Sequence, residues 1–172
     1  MIAVLSGTPP LFQLLGNGVL AWALIACGLA QFSKLLIELV EHRRWRPAVL
    51  FETGGMPSSH AALVTGAAAG IGWQQGFDDP LFAFAATIAF VVMYDASGVR
   101  RAAGLQAGAI NALPPATWQN AAPAKPLKEN LGHTRLEVLA GSLIGPAIAL
   151  TGLALAGSPL QIAQNWGWLP LA

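Results

Sequence analysis

The chain has 172 residues, of which 55% are apolar and only 10% are charged. This charged fraction is less than half the soluble norm of about 25%, which excludes an ordinary soluble domain and predicts one membrane domain over residues 1–172. A net charge of +1 provides no overall field for nucleic acid, so no nucleic-acid partner is expected. The first residues lack the basic region of a signal peptide, and Cys27 is assigned to helix packing.

Four apolar segments predict an all-α bundle with about four transmembrane helices. The first is long enough to cross a hydrocarbon core of about 30 Å at about 1.5 Å per residue. The second is rich in Ala and Gly, so neighbouring helices can approach it closely, and we expect it at the centre. Asp78 or Asp79 is expected to cap the third. The four segments are residues 19–40, 58–76, 80–95 and 134–156.

Two different pieces separate the third and fourth segments. Residues 96–113, "ASGVRRAAGLQAGAINAL", predict a short helix at the membrane surface. Residues 114–130 are a Pro-rich loop, which is expected to be mobile unless it folds over another element. The tail from 161 onwards carries tryptophans that are typical of a membrane interface.

The basic residues indicate the orientation of the bundle. Face A is the side on which segments 19–40 and 80–95 end and the other two begin, and face B is the opposite side. Face B carries Asp78 and Asp79 but no basic residue. The positive-inside rule makes face A cytoplasmic, in a bacterial inner membrane or a thylakoid-like one, provided that the tail forms no further span. All nine basic residues fall on face A or just beneath it: Lys34, Arg43, Arg44, Arg46, Arg100, Arg101, Lys125, Lys128 and Arg135.

Two histidines, His60 and His133, open helices on face A. A helical bundle would hold them and the nearby cations within about 8–10 Å of one another. Cations neutralise phosphate oxygens, and helix N-termini aim N–H donors at an anion. In "MPSSH", Ser58 and Ser59 add hydroxyl and N–H groups at the start of a helix. The cations concerned are Lys34, Arg46, Arg100 and Arg101.

The stretch "GHTRLEV" places His133 and Glu137 four residues apart, on one helical face. A carboxylate bonded to one ring nitrogen fixes the tautomer and leaves the other nitrogen as nucleophile or base. His60 could then protonate a leaving alkoxide. These residue types suit a phosphohistidine mechanism, and no set of residues has the spacing of a metal site.

Three stretches, "GGMPSSH", "MYDASGVRRAAG" and "LKENLGHTRLEVLAG", resemble the divergent branch of the type 2 phosphatidic acid phosphatase and vanadium-dependent haloperoxidase superfamily. The resemblance runs from about residue 31 to 145. It implies that His133 is the nucleophile, Glu137 its orienting carboxylate and His60 the general acid. Lys34, Ser58, Ser59 and Arg100 or Arg101 would bind the phosphate, and vanadate or phosphate could occupy a site that needs no cofactor.

The sequence also departs from the superfamily pattern. Ser59 stands in place of a glycine, and no Ser-Arg pair precedes His133, so the arginine role passes to Arg100 or Arg101. Lys34 precedes Arg46 by more residues than the first superfamily motif has, which leaves open whether Lys34, the favoured candidate, or Arg46 serves it.

Structural roles compete with these functional ones. Ser58 or Ser59 could simply cap a helix, and Lys34 could neutralise Glu38 four residues on. Asp95 is expected to be the structural partner of the two arginines that follow it. Arg43, Arg44 and Arg46 are expected to anchor headgroups.

The predicted function is hydrolysis of a lipid phosphate monoester or diphosphate at the cytoplasmic leaflet, with membrane lipids as surroundings and oligomeric state left open. One alternative is a membrane protein that binds an anionic headgroup without turnover. The other is a small transporter subunit with Lys34 and Glu38 on a conduction path.

Overall fold

The computed structural model describes residues 9–41, 43–52, 54–114 and 125–169, and every regular element in these ranges is a helix. The predicted all-α fold is therefore confirmed. In chain order the elements are α1 (Pro10–Gly16), α2 (Gly18–Glu41), a 3₁₀ helix (Pro47–Phe51), α3 (Ser59–Gln75), α4 (Pro80–Ser97), α5 (Val99–Asn111), α6 (Arg135–Leu155) and α7 (Pro159–Asn165).

Three stretches of helix among the described residues are long and apolar enough to cross a membrane, so the chain is a membrane protein as its composition predicts. They are Gly18–Glu41, Pro80–Asn111 and Arg135–Asn165. The second joins α4 to α5 and the third joins α6 to α7. The remaining long helix, α3, has 17 residues, or about 25 Å of length.

Helix α3 lies at the centre of the bundle, where it packs against α2, α4 and α6. Its glycines let the backbones of α3 and α6 meet. A Cβ added at Gly66 would lie 3.1 Å from the Gly145 carbonyl oxygen, and one added at Gly145 would lie 2.8 Å from the Gly66 nitrogen. The central position expected from its small residues is thus observed.

Side-chain caps fix where α3, α4 and α6 begin. Ser58 caps α3 by accepting from the Ala61 N–H at 3.3 Å, and Asp79 caps α4 by accepting from the Leu81 N–H at 2.7 Å. Asp79 is therefore the capping aspartate of the predicted pair. Thr134 caps α6 in a reciprocal arrangement with Glu137.

The predicted surface helix is α5, which follows α4 after Gly98. The described end of the Pro-rich loop, from residue 125, returns along α5. The Asn111 side chain accepts from the Leu127 N–H at 2.9 Å and donates to Glu129 Oε1 at 2.8 Å. This part of the loop therefore folds over another element, while residues 115–124 lie outside the described residues.

At the end of the bundle opposite His133, the start of α2 contacts the end of α6. The Trp22 indole N–H donates to the Gly157 carbonyl at 2.7 Å, and α1 packs against α7. Helix α7 has only 7 residues, about 10 Å, which is too short to cross a bilayer.

Candidate phosphate site at the start of α6

Two hydrogen bonds hold His133 at the start of α6. Its side chain is buried, at 4% exposure, and its backbone N–H donates to the Ala96 carbonyl at 2.9 Å. Nδ1 lies 3.1 Å from Glu137 Oε2, which also accepts from the Thr134 N–H at 3.0 Å. An ionised carboxylate can only accept, so the proton lies on Nδ1 and the lone pair on Nε2. The predicted His133–Glu137 pair is thus formed through Nδ1.

Gly132 brings this histidine into place. It has a φ of +75°, which L side chains rarely adopt, and it lies in a tight gap. A Cβ added there would lie 2.7 Å from the Ala96 carbonyl oxygen and 2.8 Å from the Arg100 carbonyl carbon. Only glycine fits both the backbone conformation and the space.

Burial is the main influence on the pKa of His133, and it lowers that pKa below the usual value. The hydrogen bond to Glu137 opposes this shift, whereas the positive charge of Lys34 adds to it. At neutral pH the imidazole is therefore uncharged, as a nucleophile must be.

His60 and His133 line one small cavity together with Arg100. The cavity measures about 20 Å³, which is room for about one water molecule. His60 is the more exposed histidine and lies in electrostatic contact with both Arg100 and Lys34. This cavity is thus lined by two histidines from distant parts of the chain and by one arginine.

The two adjacent arginines, Arg100 and Arg101, face different spaces. Arg100 donates from Nε to Asp95 Oδ2 at 2.6 Å, so the predicted pairing of Asp95 is confirmed for Arg100, and no such pair with Arg101 occurs among the described residues. Arg101 instead lines a larger cavity of about 730 Å³ that also contains His133. The sequence left open which arginine binds the phosphate. In the structure, Arg100 would bind a phosphate in the small cavity and Arg101 one in the larger cavity.

Lys34 also lines the larger cavity, where it is 5% exposed and interacts electrostatically with Glu137. Arg46 lies at the same cavity but forms an ion pair with Glu52 and approaches Glu38 to 4.0 Å. Lys34 therefore interacts electrostatically with His60 and His133, whereas Arg46 is held by carboxylates.

Ser58 and Ser59 are buried and line neither of these two cavities. The Ser58 hydroxyl caps α3, and its backbone N–H donates to the Glu137 carbonyl at 2.9 Å. The Ser59 side chain lies beside Cys27 of α2. Both serines thus have structural partners here, and their phosphate contacts remain a prediction.

Sequence reasoning missed the acidic character of the larger cavity. Besides Glu137, four further glutamates line it: Glu38, Glu41, Glu52 and Glu129. Glu38 and Glu41 follow Lys34 by four and seven residues on one helical face, a spacing that could have revealed two of them. These carboxylates would repel an anion, whereas Lys34 and Arg101, which line the same cavity, would attract one.

Comparison with known proteins gives two matches. The sequence pattern of a family described as "Divergent PAP2 family" matches residues 15–148. A Bacillus subtilis (strain 168) protein, "Uncharacterized membrane protein YuiD", is 39% identical over 152 residues, covering 80% of this chain and 95% of the relative. No solved structure matches the chain.

Proposed function

The chain belongs to the Divergent PAP2 family, and from this membership and the site geometry we propose that it is a membrane lipid phosphatase. It hydrolyses a lipid phosphate monoester or diphosphate through a phosphohistidine intermediate. One observation carries the proposal: His60, His133 and Arg100 line a single cavity while Glu137 holds Nδ1 of His133.

In the first step Nε2 of His133 attacks the phosphorus atom, and the bond from phosphorus to the lipid oxygen breaks. His60 enters this step as an imidazolium, gives its proton to the departing alcohol and becomes neutral. Glu137 stabilises the imidazolium character of phosphorylated His133, and Arg100 and Lys34 neutralise the phosphoryl oxygens. The N-terminus of α3, beginning at Ser58 and Ser59, adds its dipole to this anion site.

In the second step His60 takes a proton from water, and the resulting hydroxide attacks the phosphohistidine. The P–N bond breaks, inorganic phosphate leaves, and His133 regains its lone pair. The empty cavity of about 20 Å³ has room for only about one water molecule, so the phosphoryl group must enter with a rearrangement of its walls. The adjoining larger cavity supplies the space on the His133 side.

The direct test measures phosphate release from short-chain phosphatidic acid in detergent by the wild type, His133→Asn and His60→Asn. Asn at 133 keeps an N–H donor for Glu137 and removes the nucleophile. We expect His133→Asn to lose more than about 1,000-fold in kcat, with the helical circular-dichroism signal unchanged. Equal release by the wild type and His133→Asn would end the proposal.

The cytoplasmic orientation of the site is part of the proposal and rests on the charge asymmetry of the two faces. Phosphatidic acid or phosphatidylglycerol phosphate in the inner leaflet suits that orientation. In a Cys27→Ser background, single cysteines at exposed positions 128 and 78 report the two faces. An impermeant maleimide should label Asp78→Cys from outside the cell and Lys128→Cys only in inverted vesicles; the reverse pattern contradicts the orientation.

A second candidate is a protein that binds an anionic headgroup without turning it over; Ser59 in place of the superfamily glycine and the missing Ser-Arg pair before His133 favour it. It predicts that vanadate binds to the purified protein while short-chain phosphatidic acid stays intact. Under the phosphatase proposal, vanadate instead inhibits measurable phosphate release.

A further inference from the structure

A groove of about 810 Å³ lies between α4 and α6, away from the histidines. Its volume is within the range of about 300–1,000 Å³ that is typical of small-molecule sites. Phe90 and Tyr94 of α4 are 71% and 77% exposed, and Leu139 of α6 is 55% exposed, so its walls open sideways to the bilayer. The groove exists because α4 and α6 both pack against α3 while touching each other little.

The floor of the groove adjoins the candidate phosphate site. Val138, which lines the groove, belongs to a buried cluster with Ala61 and Ala96. Ala61 directly follows His60, and Ala96 lines the small histidine cavity. An apolar ligand in the groove would therefore lie one layer of side chains from the two imidazoles.

A polar gap of about 400 Å³ connects the groove with the larger cavity. The gap is lined by Ser97, Arg101, Thr134 and Arg135. It shares Ser97 and Arg135 with the groove, and it shares Arg101 and Thr134 with the cavity that contains His133. The apolar groove thus leads to a cationic gap, and the gap leads to the cavity that His133 lines.

The two arginines of this gap differ from Arg100 in their ion pairing. Within the described ranges neither Arg101 nor Arg135 forms an ion pair, unlike Arg100 with Asp95. Arg135 is also the first residue of α6, where the helix dipole favours an anion. Chemical complementarity therefore calls for an amphiphile with a hydrocarbon chain and an anionic group at its end.

We propose that the α4–α6 groove receives one hydrocarbon chain of the lipid phosphate substrate and that Arg135, with Arg101, holds its headgroup at the gap. The proposal rests on the lipid phosphatase function above and adds the route by which the substrate reaches His133. Bilayer lipid is as apolar as the groove, so the hydrocarbon chain gains little affinity by entering it, but its entry positions the headgroup at the gap. The preference for an anionic lipid comes from the arginines.

Photolabelling in liposomes tests this route without turnover. One probe is phosphatidic acid with a diazirine in one acyl chain; the matched probe is the diacylglycerol with the same diazirine. We expect the phosphate probe to label the groove residues of α4 and α6 more than the neutral probe does. Arg135→Gln should reduce this preference about tenfold. Equal labelling by the two probes in the wild type overturns the proposal.

Two leucines of α6 provide the matched pair of blocking variants. Leu139→Trp fills the groove, whereas Leu143→Trp adds the same bulk at a residue that is 65% exposed and does not line it. Leu139→Trp should reduce groove labelling to the level of the neutral probe, and Leu143→Trp should leave it unchanged. Ser142→Phe, also in the groove, replaces Leu139→Trp if that variant does not fold. Equal effects of Leu139→Trp and Leu143→Trp refute the groove.

The two proposals fail in distinguishable ways. His133→Asn should retain the labelling preference, because the probe binds without reacting. Preferential labelling with no phosphate release by the wild type would refute the phosphatase function and leave the groove intact. Phosphate release with no labelling preference would refute the groove and leave the phosphatase function intact.

Discussion

The substitution Glu137→Gln removes the negative charge of this side chain while keeping its role in capping α6. Glu137 Oε2 accepts from His133 Nδ1 at 3.1 Å and from the Thr134 N–H at 3.0 Å. A Gln side chain can still accept from the Thr134 N–H, because the reciprocal helix cap takes either Glu or Gln. The N-terminus of α6 should therefore remain intact, while His133 loses its negative partner.

The size of the effect follows from the hydrogen bond that changes. A hydrogen bond to a charged group contributes about 1.5–3 kcal/mol, and a neutral one about 0.5–1.5 kcal/mol. The charge matters most when His133 becomes an imidazolium bonded to phosphorus, so the loss falls on the transition state. The difference is about 1–1.5 kcal/mol, and at about 1.4 kcal/mol per factor of ten we expect kcat to fall about 5- to 12-fold. Thermal stability in detergent should change by less than about 1 kcal/mol.

The assay is phosphate release from short-chain phosphatidic acid at neutral pH, with Glu129→Gln as the control. Glu129 lines the same cavity and bonds Asn111, but it does not contact a histidine in the described structure. Both variants remove one negative charge from the cavity. If Glu137→Gln is as active as Glu129→Gln, the carboxylate does not act through His133 and the proposed role is wrong.

Three further predictions follow from the packing around the site. Because burial lowers the pKa of His133, kcat/KM should rise with pH through a pKa below the usual value of about 6.5. The Glu137 hydrogen bond raises this pKa, so in Glu137→Gln the rise should occur at lower pH. A rise above pH 6.5 in both proteins contradicts the assignment of this pKa to His133. Gly132→Ala should abolish phosphate release, because a φ of +75° and the tight gap exclude a Cβ, whereas Gly28→Ala, with nothing within 4 Å, should keep full activity. Gly145→Leu should destabilise the bundle by more than about 3 kcal/mol in a detergent melt by separating α3 from α6, and Gly28→Leu should not.

The helices and the His133–Glu137 pair could be predicted from the sequence, because each depends on residues that are close together in the chain. Apolar length marks the helices, and Asp79 and Thr134 mark their beginnings through caps. The spacing of His133 and Glu137 requires only one turn of helix to bring them together. The small residues of α3 predict its central position because close helix approach requires them.

Other features depend on the tertiary arrangement and were out of reach. The partners of the two serines of "MPSSH" depend on other helices, since Ser58 donates from its backbone N–H to Glu137 of α6 and Ser59 lies beside Cys27 of α2; their phosphate contacts stay a prediction. No local pattern indicates that Glu52 and Glu129, from two separate loops, meet the end of α2 at one cavity. The contact of residues 127–129 with Asn111 also joins distant segments. Such loop contacts are set by side-chain hydrogen bonds across the fold, and no periodicity predicts them.

Chemical trapping of the intermediate tests the central claim most directly. His60→Asn is mixed with p-nitrophenyl phosphate, whose leaving group needs no proton, so phosphorylation continues while water activation is slowed. After an alkaline quench, which preserves phosphohistidine, peptide mass spectrometry locates the phosphoryl group. We predict that it lies on residue 133 and is missing from a His60→Asn, His133→Asn double variant. A protein that releases p-nitrophenol without carrying phosphate on residue 133 contradicts the account.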